Sequence, residues 1–182
     1  MFLLQSQYAR EFAEELGREM IKAPLIDALR AAPEQHEHKT MTPYVTERLE
    51  RFLQARNIVV PEDRMIVDCE GNRDRKPGTP SYGYPVLGTS TYPDIAVLAP
   101  FTCAVEFDRE ARSASEFRTK LMKAAVHVLS GAYSACLYVY LQPQGSTIRY
   151  TDDGSLHTKR LLMILESFGL FVCLVPAQDV TG

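Results

Sequence analysis

Asp94, Glu106 and Asp108 mark the ends of two otherwise apolar runs in the stretch YPDIAVLAPFTCAVEFDRE, from Tyr92 to Glu110. Glu106 and Asp108 are two residues apart. On a strand, alternation turns both carboxylates to one face. Asp94 opens the preceding run. Two short strands running up and back over this length bring the start of one beside the end of the other, so the three acids are expected to converge. Converging carboxylates repel, and they either trap a proton or hold a cation. Oxygen-only ligands suit a hard ion, Mg²⁺ with Mn²⁺ as a substitute. Such an ion polarises a phosphoryl oxygen and acidifies a water, which is the chemistry of phosphodiester hydrolysis. The plain alternative is that acids sit at strand ends because strand ends reach water. For each acid singly that alternative is the better one; the spacing of the three together favours a metal site.

The elements that must hold these acids are legible around them. "DIAVLA" and "FTCAVEF" are nearly continuous apolar runs, as expected of buried strands. Ser113 and Glu116 have the spacing of a capping box and open a helix to about Leu129, with Phe117, Leu121, Ala125, Val128 and Ala132 as its core face. "ACLYVYL" reads as the next strand, "HTKRLLMILESFG" as a helix ending at Gly169, and "LFVCLVP" as a last strand. Upstream, Tyr8, Phe12, Leu16 and Met20 recur at helical spacing, and Pro24 precedes a second short helix. Thr42-Pro43 is expected to open the following helix, with Val45, Leu49, Phe52 and Leu53 as its apolar stripe and Asn57 as its stop. "RMIVDC" is a short strand. Between it and Asp94 lies a long Gly-, Pro- and Tyr-rich segment read as a loop. The resulting fold class is α/β with a mixed central sheet flanked by helices.

The stretch resembles the PD-(D/E)XK nuclease superfamily. The resemblance rests on Pro93-Asp94, a strand, Glu106-Phe107-Asp108 at the E-x-K position, then a helix and a strand. It implies a restriction-endonuclease-like αβββαβ core over residues 42–141, a little over half the chain. Residues 1–41 become a helical N-terminal extension, and 142–182 a helix and strand completing the sheet. It further implies a metal-dependent nuclease with Asp94 and Glu106 as metal ligands. The family usually carries Lys where Asp108 stands. Either Asp108 acts directly, as a ligand or by orienting water, which is the preferred assignment, or Lys120 or Lys123 on the following helix supplies the charge. With Glu116 and His127 these lysines form one helix stripe, whose bland reading is a solvated face. The substitution also leaves room for a nuclease fold without catalysis. Glu47 on the first core helix is the candidate for an additional acid.

Composition limits the partners. The chain has 182 residues and a formal net charge of -3, so bulk charge does not attract nucleic acid and any phosphate contacts must be local. Arg109 and Arg112 follow the acidic strand, Arg73, Arg75 and Lys76 sit in the long loop, and Arg149 lies in the turn-rich segment 142–155; these are the expected DNA contacts. Four cysteines without a CxxC pair read as small buried hydrophobes in a reducing compartment. No apolar stretch approaches the ~20 residues of a membrane span, and the N-terminus reads as a cytoplasmic start. The size suits a type II restriction enzyme cutting double-stranded DNA as a homodimer, with the N-terminal helices either forming the dimer contact or capping the domain's own core. The rival readings are a repair, phage or toxin-type nuclease of the same fold and a non-catalytic nucleic-acid-binding protein.

Overall fold

A computed structural model describes residues 2–22, 25, 27–29, 37–59, 64–67, 83–86, 89–108, 114–142 and 156–176. The described elements are α1 (Phe2–Met20), α2 (Glu37–Gln54), β1 (Met65–Val67), β2 (Tyr84–Val86), β3 (Thr89–Thr91), β4 (Ile95–Val97), β5 (Cys103–Asp108), α3 (Ala114–Leu129), β6 (Ala135–Gln142), α4 (Leu156–Ser167) and β7 (Leu170–Pro176). A five-stranded mixed sheet has the order β1-β4-β5-β6-β7. β1, β4 and β5 run antiparallel to their neighbours, while β5, β6 and β7 are parallel, with α3 and α4 as the connecting helices. The expected mixed α/β architecture is therefore present.

Strand alternation divides the core into two layers. Ile95, Val97, Val105, Phe107, Leu137 and Val139 point to one side, against α1 and α2. There Phe12, Phe52 and Phe101 pack edge-on or tilted, with ring centroids 5.5–6.0 Å apart. Ala96, Ala104, Cys136, Tyr138 and Tyr140 point to the other side, against Phe117, Leu121, Ala124 and Ala125 of α3. The helical stripe Phe12, Leu16, Met20 is buried in the first layer, so α1 caps the chain's own core. Of the two uses expected of this stripe, capping the core is the one seen.

Two local expectations are also corrected. The second helix does not start at Thr42-Pro43 but at Glu37, with Pro43 inside it. Met41 lies one turn before Val45 and is buried beside it in the first layer. Burying Met41 favours a helical turn that the missing N–H of Pro43 would otherwise discourage. The other end matches the expectation. Asn57 takes a left-handed conformation (φ 55°), and Ile58 N–H donates to the Leu53 carbonyl at 2.9 Å, a Schellman closure. The long segment read as a loop contains β2 and β3, paired antiparallel with Val86 opposite Thr89.

Gly169, after α4, has φ +91°, and a Cβ there would meet the Ser134 carbonyl oxygen at 2.9 Å. Only glycine makes this turn, which returns the chain into β7 beside β6. No helix among the described residues is long and apolar enough to cross a membrane.

Candidate acid site beneath the third helix

The register of β4 on β5 sets the geometry. Ile95 faces Val105 and Ala96 faces Ala104. Carried one residue further, it places Asp94 across from Glu106. Asp94, Glu106 and Asp108 share the parity of Ala96 and Ala104, so all three belong to the α3 side of the sheet. Asp94 comes just before β4, after Pro93. Its side chain takes over a ladder position there: Oδ2 accepts the Phe107 N–H at 2.7 Å. The convergence read from spacing is thus present.

Glu106 is 1% exposed. A carboxylate so deeply buried needs partners, and α3 supplies them. His127 Nε2, on a fully buried ring, stands 2.6 Å from Oε1. Lys123 Nζ donates to Oε2 at 3.2 Å. One turn away, Lys120 Nζ lies 3.0 Å from Asp108 Oδ1 and 3.9 Å from Glu116 Oε1. The stripe Glu116, Lys120, Lys123 and His127 therefore leans over the acids. Its reading as a merely solvated face does not hold, because burying Glu106 calls for donors at this helical spacing.

Electrostatics follow from this crowding. Burial, then the negative charge of Glu106, pushes the Asp94 carboxyl up to about 7, against the opposing Phe107 N–H. Burial on its own would lower the Lys123 ammonium, but Glu106 and Asp94 outweigh it and hold the pKa above the ordinary lysine value. The cluster is short of positive charge even with its lysines in place.

Hard oxygen donors fit a divalent cation by their chemistry. Among the described residues, though, no three histidine, cysteine or carboxylate groups stand ready to grip a metal as they are. Glu106 and Asp108 hold ammonium groups instead. Mg²⁺ binds through as few as one or two carboxylates, completing its shell with water and substrate phosphate. The pair Asp94 and Glu106 meets that lesser demand.

Glu47 is not brought here. It lies on the outer face of α2, beyond the opposite side of the sheet, half exposed and paired with Arg51 one turn on. It was expected inward from its place on the flank of the apolar stripe, but Met41, Val45, Leu49, Phe52 and Leu53 fill that stripe. Arg48 lies over the Tyr44 ring and pairs with Glu19 at 3.6 Å. Arg73, Arg75, Lys76, Arg109, Arg112 and Arg149 lie outside the described residues. Cys103, Cys136 and Cys173 are buried free thiols, and burial pushes Cys103 and Cys173 up to about 12, in keeping with inert core residues.

Sequence reasoning named His127 only as a member of the helix stripe.

Neither protein-family models, nor curated proteins, nor solved structures yield a match to this chain.

Proposed function

We propose that this chain is a divalent-metal-dependent nuclease of the PD-(D/E)XK kind that hydrolyses phosphodiester bonds in double-stranded DNA, in its most specific form a type II restriction enzyme. One observation carries the reading. Asp94 and Glu106 face each other across adjacent antiparallel strands, and a lysine from the next helix reaches the same carboxylate. The order α2-β1-β4-β5-α3-β6, antiparallel through β5 and then parallel, supports it, since it follows the αβββαβ order with the hairpin β2–β3 inserted.

In this reading Asp94 and Glu106 hold Mg²⁺, or Mn²⁺ in its place. Once bound, the ion supplies positive charge at the scissile phosphoryl group. Asp108 lies at the edge of the cluster and orients the attacking water or adds a further oxygen ligand. Lys123, half exposed and already beside Glu106, is the protein cation best placed to meet charge developing on the phosphate. His127 fixes the Glu106 carboxylate from behind. Lys120 stays with Asp108. The arginines flanking the acidic strand and in the long segment before Asp94 would hold the DNA backbone. A homodimer, as two-strand cutting calls for, would have to use a surface other than the buried stripe of α1.

A second reading also has an observation behind it. Both oxygens of Glu106 are occupied, by His127 and Lys123, and Asp108 stands where the family has lysine. A fold that binds nucleic acid without cutting it would look like this too. Plasmid cleavage in Mg²⁺ and in Mn²⁺, with wild type, Asp94→Ala and Glu106→Ala, separates the two. Discrete fragments from wild type, lost in both variants, support the restriction enzyme. Cleavage without discrete sequence-dependent bands points to a repair, phage or toxin-type role. No cleavage with either ion, while DNA is still bound, sinks the catalytic reading.

A further inference from the structure

The two oxygens of Glu106 are held by α3 in different ways. Oε1 belongs to His127, whose ring is fully buried and packs edge-on against Tyr133 at 5.7 Å. That partner is fixed by its surroundings. Oε2 belongs to Lys123 at 3.2 Å, and this side chain is half exposed. A lysine ammonium is a compact charge on a flexible stem, so Lys123 can swing into water without disturbing the core. Burial disfavours its charge, and Glu106, Asp94 and Asp108 together overcome that. These are the same three acids that the cation of the nuclease reading would use. Lys120 is placed differently, between Asp108 at 3.0 Å and Glu116 of its own helix at 3.9 Å. The Lys123 ammonium thus stands where the acids would draw a divalent ion, on the one partner of Glu106 that is able to leave.

Building on the nuclease reading above, we propose that Lys123 is a stand-in for the divalent cation: its ammonium neutralises Glu106 in the metal-free chain, and the ammonium and the ion exclude each other from Oε2. Two positive charges about 4 Å apart repel in any medium, and more so beside a buried group. Loading therefore requires Lys123 to let go of Glu106. A buried carboxylate without a counter-charge is costly, so the chain carries its own until the ion arrives, and the arrival of the ion releases the ammonium toward the phosphate. Removing the lysine then has opposite effects on two steps. The metal binds more tightly, and cleavage is lost. A lysine that merely supported the Glu106 carboxylate would show the reverse on the first step, since its loss would loosen the site.

The test is calorimetric titration with Mn²⁺ in the absence of DNA, at pH 8, above the Asp94 value of about 7. Wild type is compared with Lys123→Met, with Lys123→Gln, whose amide can still donate to Glu106, with Lys123→Arg, which keeps the charge, and with Lys120→Met. Thermal unfolding checks that each variant is folded. The expected result is Mn²⁺ bound about tenfold more tightly by Lys123→Met and Lys123→Gln, no more tightly by Lys123→Arg, and with a smaller change in Lys120→Met. A wild type that takes up no Mn²⁺ beside a Lys123→Met protein that does is the extreme form of the same result. Equal or weaker binding in folded Lys123→Met and Lys123→Gln overturns the proposal while leaving the nuclease reading intact. Uptake of Mn²⁺ by none of the proteins removes the nuclease reading itself, and this inference with it.

Discussion

In β5, Val105 and Phe107 point into an apolar layer under α1 and α2, while Ala104, Glu106 and Asp108 point the opposite way beneath α3. The first layer is filled with Phe12, Phe52 and Phe101 in mutual contact. The second holds a nearly unexposed glutamate, an aspartate with a raised pKa and a buried histidine. One strand supplies both, yet the first layer follows the ordinary rule of apolar burial and the second departs from it at every polar position. The difference teaches where stability and chemistry reside. Departures from the burial rule collect on one face, where they are held in place by an unremarkable core on the other.

The comparison breaks most visibly if the two faces respond alike to mutation. Phe52→Ala should cost about 3–5 kcal/mol of stability in urea denaturation, with cleavage per folded molecule unchanged. Glu106→Gln, of nearly equal volume, should instead reduce cleavage by roughly a thousandfold or more, with a far smaller change in stability. A Glu106→Gln protein that cuts like wild type would put the chemistry elsewhere.

Asp94 sharpens the contrast through pH. The folded chain keeps its proton up to about 7, whereas the unfolded chain releases it near the ordinary value of 3.8. Folding therefore binds a proton in that window, and stability is lost as pH rises through it, by up to about 1.4 kcal/mol per pH unit from this one group. Asp94→Asn should remove that slope and be more stable than wild type at pH 8. Parallel stability-against-pH curves for the two proteins would refute the assignment.

His127 gives a smaller effect. His127→Ala leaves the buried Glu106 without its 2.6 Å partner and should cost about 1–3 kcal/mol. His127→Gln, whose amide can still donate, should recover part of it. The smallest effect is expected at Lys120, whose ion pair with Asp108 is partly solvated. Lys120→Met should change stability by less than about 1 kcal/mol and reduce cleavage less than Lys123→Met does. The reverse order in a side-by-side cleavage assay would make Lys120 the lysine that serves the phosphate.

The acid triad was legible because strand periodicity is two and leaves little choice: Glu106 and Asp108 had to share a face, and Asp94, at the start of one strand, had to lie beside the end of the next. The stripe of α3 was legible as a stripe, but its sense was not. Lysines at helical spacing look the same whether they face water or a buried acid, and the burial of Glu106 decides between them. The start of α2 was misread because local signals at Thr42-Pro43 gave way to the tertiary burial of Met41. The hairpin β2–β3 was hidden in a segment whose Gly and Pro content dominated its few strand residues.

The register that seats Ile95 against Val105 is the same one that seats Asp94 against Glu106. A slip of one residue between β4 and β5 would turn the apolar set outward and part the acids in one event. Over generations the two are thus passed on as a unit in one direction only. Lineages that keep the core must keep the positions of the acids, while a lineage that drops the acids can keep the core. Descendants without the proposed activity would be expected to retain this frame with amides or small residues at 94 and 106, and the spacing alone would still betray their ancestry.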